Sequence, residues 1–120
     1  MNSKILVVDD NDSLRLLISF TLKAEGYEVE TAADGVEAFD KFQLGEPDVL
    51  VTDLVMPRMD GQTLCLRVRE ISQVPILVIT GDRGGNNDID TVSRLGANGY
   101  MIKPFDLDVF ILKIKNLLVN

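Results

Sequence analysis

Carboxylate, hydroxyl and ammonium side chains follow four short apolar segments of this sequence. They are, in chain order, Asp9 and Asp10 after Lys4–Val8, Asp53 after Val49–Thr52, Thr80 after Ile76–Ile79, and Lys103 after Gly99–Ile102. Neighbouring carboxylates repel one another unless a cation neutralises them, and oxygen ligands of this charge suit Mg²⁺ or Mn²⁺. A hydroxyl and an ammonium group beside them suit a phosphoryl group carried on a carboxylate. If the four segments are neighbouring strands, these side chains predict a metal-dependent phosphoryl site.

The elements that would position these side chains are five strands alternating with five helices. The predicted strands are β1 (4–8), β2 (28–31), β3 (49–52), β4 (76–79) and β5 (99–102). The predicted helices are α1 (13–25), α2 (35–42), α3 (61–71), α4 (88–95) and α5 (106–119). This alternation predicts an α/β fold in which right-handed crossovers place helices on both faces of a parallel sheet. In the flavodoxin-like, doubly wound strand order 2-1-3-4-5, the switch point lies between β1 and β3, where the three aspartates would converge.

Local signals predict some details of the helices. Asp12 or Ser13 is expected to N-cap α1, and Leu17 is expected on its inward face. Ile71 is expected on the core side of α3. The glycines and asparagines of residues 84–87 predict a late or frayed start to α4, because each glycine disfavours a helix by roughly 1 kcal/mol.

Composition favours one globular, cytoplasmic domain over residues 1–120. The chain has 120 residues, of which 46% are hydrophobic, and its mean hydropathy is +0.14. That length and composition can bury a core, and no apolar run approaches the roughly 20 residues of a membrane span. No signal peptide is visible. The single cysteine, Cys65, cannot form an internal disulfide and fits a reducing compartment, where we expect it to be an inert apolar residue.

Charge and residue types exclude several classes of function. Twelve Lys and Arg against 19 Asp and Glu give a net charge of −7. The chain therefore lacks the excess of basic residues that is typical of nucleic-acid binding domains. The sequence has no histidine. Histidine nucleophiles, histidine bases and Cys/His zinc sites are therefore excluded, and any metal is expected to be a hard cation with oxygen ligands.

Four motifs resemble those of one protein family. They are VVDD at 7–10, DLVMPRMDG at 53–61, ITG at 79–81 and GANGYMIKPF at 96–105. Over essentially its full length the chain resembles the receiver domain of bacterial two-component response regulators, in particular single-domain, chemotaxis-type regulators. The resemblance implies a signalling switch that is activated by phosphorylation.

The resemblance also implies roles for the residues at the strand ends. Asp53 would accept a phosphoryl group from the phosphohistidine of a sensor histidine kinase or a histidine phosphotransfer protein. Asp9 and Asp10 would bind Mg²⁺ together with Asp53 and the backbone carbonyl of Val55. Lys103 would pair with the phosphoryl group and would precede a cis peptide bond. The protein would be no enzyme beyond slow self-dephosphorylation, at a rate tuned from positions 55 and 82.

A switch and an output surface are implied in the same way. Thr80 would sense the phosphoryl group, and Tyr100 would be the aromatic side chain that rotates in response. The α4-β5-α5 face would then change its protein partners. The protein would be a monomer or a phosphorylation-dependent dimer, with no direct contact to nucleic acid or membrane.

Other readings of the same residues remain open at this point. A magnesium-dependent phosphatase of the haloacid dehalogenase type would use Asp10 as the nucleophile and Asp12 as the acid/base. The sequence lacks the threonine and the later acidic pair of that type. A flavin carrier of the same fold would need a phosphate-binding first loop, and three aspartates there would repel a phosphate. An interaction module with a dead site would not need the complete set of site residues.

Overall fold

The strands form the predicted sheet. In the computed structural model, the described residues are 2–56, 58–81 and 88–119, and the side chains of 88–91 lie outside the description. The strands are β1 (Lys4–Val8), β2 (Glu28–Ala32), β3 (Val49–Asp53), β4 (Ile76–Thr80) and β5 (Gly99–Ile102). All neighbouring pairs are parallel, in the order β2-β1-β3-β4-β5. The predicted α/β fold and strand order are confirmed.

Helices cover both faces of the sheet. They are α1 (Asp12–Ala24), α2 (Gly35–Leu44), α3 (Gly61–Arg69), α4 (Asp88–Leu95) and α5 (Leu107–Val119). The core of one face is filled from α2, α3 and α4, and that of the other face from α1 and α5. No helix within the described ranges combines the length and the apolar character that crossing a bilayer would take.

The central strands are apolar at successive positions because both of their faces are buried. In β1, Ile5 and Val7 pack towards α1 and α5, whereas Leu6 and Val8 pack towards α2, α3 and α4. Side chains alternate between the two faces of a strand, so a strand buried on both sides needs an unbroken apolar run. The strand-end residues are therefore the first positions at which polar chemistry becomes available.

Three local predictions were wrong. Asn11, not Asp12 or Ser13, is the N-cap of α1, and its side chain accepts a hydrogen bond from the Leu14 amide at 2.9 Å. Leu17 is 47% exposed, because the inward stripe of α1 runs through neighbouring positions. Ile71 is 55% exposed, because α3 ends before it.

The loop before α4 carries predictions that fall outside the described residues. Asp82 and residues 84–87 are among them. The helix itself begins at Asp88, the predicted position.

Candidate functional site

Asp53 is a buried carboxylate at the end of β3. The residue is 7% exposed, and its Oδ1 accepts a hydrogen bond from the Leu54 amide at 2.7 Å, with the Val55 amide further away at 3.4 Å. The chain then folds back, and the Gly61 amide donates to the Leu54 carbonyl at 2.9 Å. A Cβ at position 61 would lie 1.9 Å from the Asp53 carbonyl oxygen, so only glycine fits at this position of the loop. The loop thus holds the Asp53 carboxylate in a fixed position at the edge of the sheet.

Two further carboxylates lie next to Asp53. Asp9 is 2% exposed and Asp10 is exposed. Oxygen atoms of Asp9, Asp10 and Asp53 all lie within 4.8 Å of one another. The Asn11 amide donates to Asp9 Oδ1 at 2.8 Å and helps to fix the direction of that side chain. The switch point between β1 and β3 therefore brings the three aspartates together.

Lys103 links the two buried carboxylates. Its Nζ lies 3.0 Å from Asp9 Oδ2 and 3.0 Å from Asp53 Oδ2. Burial alone lowers the pKa of the Lys103 ammonium, but the hydrogen bonds and charges of Asp9 and Asp53 outweigh that effect and raise the pKa above its ordinary value. The peptide bond between Lys103 and Pro104 is cis. An ammonium group paired with both buried carboxylates therefore faces Asp53.

Thr80 and Tyr100 lie on the β4 and β5 side of the site. Thr80 is buried, and its hydroxyl donates to the Gly81 carbonyl at 2.8 Å. Tyr100 is partly buried and packs against the core beneath α2, α3 and α4. Val55, two residues after Asp53, is 79% exposed.

The donor set fits a magnesium ion. Three carboxylates offer hard oxygen ligands close together, and one ammonium group offsets only part of their charge. When bound there, the ion would neutralise phosphoryl oxygens.

Two sets of contacts around the site were missed from the sequence. Arg15 on α1 donates from one guanidinium nitrogen to the Asp9 carbonyl at 2.7 Å. Arg58, at φ 65°, forms an ion pair with the buried N-cap residue Asp34 at 3.1 Å. The N-cap role of Asp34 could have been predicted, since Asp34 directly precedes Gly35, the predicted first residue of α2. The sequence does not signal the bond of Arg15 to the Asp9 carbonyl or the pairing of Arg58 with Asp34, because each depends on the path of the chain between the two residues.

Asp12 is poorly placed for the acid/base role that the phosphatase alternative assigns to it. Asp12 is the first residue of α1, its side chain is 88% exposed, and it pairs with Arg15 at 2.6 Å. A carboxylate held in solvent on a guanidinium group is badly placed to act as an acid/base beside Asp10. Comparisons with known proteins also give this alternative no support.

Comparisons with known proteins agree with this geometry. The family model of the response regulator receiver domain matches residues 5–115. The chain is 44% identical over 115 residues to a probable transcriptional regulator, ycf27, of Cyanophora paradoxa. This match covers 96% of the present chain and 48% of the relative. It is 42% identical over 108 residues to the alkaline phosphatase synthesis transcriptional regulatory protein PhoP of Bacillus subtilis, covering 88% of this chain and 44% of that protein. The chain thus spans just under half the length of these curated relatives.

Similarity to a solved structure extends over the whole of both chains. The chemotaxis protein CheY4 of Vibrio cholerae superposes with a TM-score of 0.91 at 37% identity, covering 98% of this chain and 100% of that chain. The family model spans most of the chain, and receiver domains bind Mg²⁺ at an acidic pocket. The chain therefore belongs to the response regulator receiver domain family, whose members are phosphorylation-activated signalling switches that receive signals from histidine kinases.

Proposed function

We propose that Asp53 is the residue that accepts the phosphoryl group, and that residues 1–120 act as one receiver domain. The observation that carries this proposal is the placement of Asp53. It is a buried carboxylate whose Oδ2 lies 3.0 Å from Lys103 Nζ, with Asp9 and Asp10 oxygens within 4.8 Å. Of the three clustered aspartates, Asp9 and Asp53 pair with the ammonium group, and Asp53 ends β3 two residues before Val55.

The transfer is an in-line displacement at phosphorus. A lone pair of an Asp53 carboxylate oxygen forms the new O–P bond while the N–P bond of the donor phosphohistidine breaks. The electron pair of that bond goes to the imidazole nitrogen, which leaves. Later a water oxygen attacks the same phosphorus, the O–P bond to Asp53 breaks, and the carboxylate and inorganic phosphate are released. This slow hydrolysis is the chain's own contribution to switching off, and no other turnover is proposed.

The neighbouring residues orient and neutralise the transferred group. Asp9, Asp10, Asp53 and the Val55 carbonyl would hold Mg²⁺, with Mn²⁺ as a substitute of similar ligand preference. Lys103 keeps one positive charge next to the Asp53 carboxylate, where it can move from pairing with Asp53 to pairing with phosphoryl oxygens. Both cations reduce the repulsion between the acceptor and its doubly charged donor.

The switch is proposed to run from Thr80 to Tyr100. A phosphoryl group on Asp53 offers strong acceptor oxygens, for which the Thr80 hydroxyl would exchange its present bond to the Gly81 carbonyl. The space vacated by Thr80 would let Tyr100 rotate inward from its partly buried position. The α4-β5-α5 face would then bind a different protein, either a downstream target or a second phosphorylated copy.

The partners follow from the same chemistry. The donor would be a sensor histidine kinase or a histidine phosphotransfer protein, in the cytoplasm. The net charge of −7 makes direct contact of this domain with nucleic acid unfavourable. Since the curated relatives are named as transcriptional regulators and are about twice as long, this prediction concerns the receiver domain alone.

Intact mass after incubation with acetyl phosphate tests the proposal. The wild-type protein should gain one phosphoryl group when Mg²⁺ is present and none in EDTA, and Asp53→Asn should gain none. Asp12→Asn, which would disable a phosphatase of the haloacid dehalogenase type, should label like the wild type. Labelling that persists in Asp53→Asn and disappears in Asp10→Asn would instead make Asp10 the nucleophile.

A further inference from the structure

We propose that Arg15 is a positioning residue for the divalent cation at Asp9 and Asp10. The inference rests on the proposed function, because it assigns to Arg15 a part in the magnesium site of that function. Arg15 touches no reacting atom. It would act through the backbone of the turn that carries the two aspartates.

The guanidinium group of Arg15 forms hydrogen bonds with both ends of this turn. One nitrogen donates to the Asp9 carbonyl at 2.7 Å, and another donates to Asp12 Oδ1 at 2.6 Å. The turn from Asp9 to Asp12 is thus fastened at both ends to one rigid, planar side chain. The exposed ligand Asp10 lies between the two fastened residues.

Of the two bonds that Arg15 makes, the one to the Asp9 carbonyl should contribute more to the position of the turn, because it is less exposed to solvent. The Arg15 side chain is 19% exposed, whereas that of Asp12 is 88% exposed. Asp9 is almost fully buried, and its carbonyl accepts the bond from Arg15 at a partly buried position. A buried acceptor without a partner is costly, and the turn would shift to satisfy it. Such a shift would also move the carboxylates of Asp9 and Asp10, because they are attached to the same stretch of backbone.

Positioning and electrostatics predict opposite signs for the loss of Arg15. A positive charge near the site repels Mg²⁺, so its removal should tighten binding if charge alone decides. If Arg15 positions the turn, its removal should weaken binding, since the loss of residues that orient metal ligands typically costs about 10-fold to 100-fold in affinity. The sign of the change therefore separates the two effects.

Isothermal titration of MgCl₂ into the intact chain is the test. We expect Arg15→Met to weaken Mg²⁺ binding about tenfold. Arg15→Lys keeps the charge but loses the planar fork, and it should weaken binding to a smaller extent. Arg67→Met removes the same charge from an exposed position near the end of α3 and serves as the matched control, with binding close to that of the wild type.

Asp12→Asn completes the set. It removes a negative charge and the outer anchor but leaves the bond between Arg15 and the Asp9 carbonyl, so we expect a change of less than about threefold if that bond is the one that matters. Circular dichroism checks that each variant is folded. If Arg15→Met does not fold, Arg15→Lys still distinguishes positioning from charge.

The outcomes separate this inference from the proposed function. Unchanged or tighter Mg²⁺ binding by a folded Arg15→Met, or by Arg15→Lys where the methionine variant does not fold, would overturn the positioning role. Absence of Mg²⁺ binding by the wild-type chain would instead overturn the proposed function, on which the inference rests.

Discussion

Asp10→Asn should stabilise the metal-free protein while it removes the stabilisation by magnesium. Asp10 is exposed, and its carboxylate lies beside those of Asp9 and Asp53. Lys103 pairs with the other two aspartates. In the absence of a divalent cation, the charge of Asp10 therefore works against folding.

The size of the effect follows from the distance. Two unit charges at the cluster's outer separation of 4.8 Å repel by about 0.9 kcal/mol in water and by about 3.5 kcal/mol at an effective dielectric constant of 20. Because Asp10 is exposed, the value for water is the better guide. Two such repulsions, with Asp9 and with Asp53, sum to about 2 kcal/mol, and the attraction of Asp10 to the nearby Lys103 ammonium reduces this to about 1 kcal/mol. Asp10→Asn should raise the free energy of unfolding in EDTA by about that amount.

Urea unfolding followed by far-UV circular dichroism measures the change, since the sequence contains no tryptophan. Millimolar Mg²⁺ should stabilise the wild type by mass action and should stabilise Asp10→Asn much less. Asp40→Asn removes the same charge from an exposed position on α2 and should change stability by less than about 0.5 kcal/mol. A less stable Asp10→Asn in EDTA, or one that keeps the full gain from Mg²⁺, would refute the reasoning.

Three further predictions concern the surroundings of the site. Lys103→Met leaves Asp9 and Asp53 buried without their cation and should lower stability in EDTA by about 3 kcal/mol, a value reduced because Lys103 is a quarter exposed; an unchanged urea midpoint would contradict it. Gly61→Ala should cost at least about 3 kcal/mol or prevent folding, because its Cβ would lie 1.9 Å from the Asp53 carbonyl oxygen; a normal melting temperature would show that the loop can move aside. Burial raises the pKa of the Cys65 thiol from 9.0 to about 12, so its contribution to stability is complete below pH 9 and is lost as the pH rises towards 12. Ellman's reagent should accordingly react with Cys65 only after unfolding in concentrated urea, and rapid reaction of the native protein at pH 8 would contradict its burial.

The fold could be predicted because its signals are local. Unbroken apolar runs identify strands that are buried on both faces, and glycines mark the helix ends, so all ten elements were placed to within a few residues. The helix details that failed depend on choices between near-equivalent residues. Asn11, Asp12 and Ser13 can all cap a helix, and only the path of the turn selects Asn11. Ile71 fits the apolar periodicity of α3, but the helix ends before reaching it.

The candidate site was predictable to the extent that strand ends determine it. Asp9, Asp10, Asp53 and Lys103 converge because parallel strands bring their carboxyl ends to one edge. The present bond of the Thr80 hydroxyl to the next carbonyl could not be predicted, since it depends on a single side-chain rotation. The bond of Arg15 to the Asp9 carbonyl and the pairing of Arg58 with Asp34 depend on the path of the intervening chain, which no sequence spacing encodes.

The most direct test of the central claim locates the phosphoryl group chemically. Borohydride reduces an aspartyl phosphate to homoserine, which mass spectrometry of peptides identifies at a single position. After incubation with acetyl phosphate and Mg²⁺, the account predicts homoserine at position 53, and none there when Mg²⁺ is omitted. Homoserine at position 10, or a phosphorylated chain with no homoserine at 53, would contradict it.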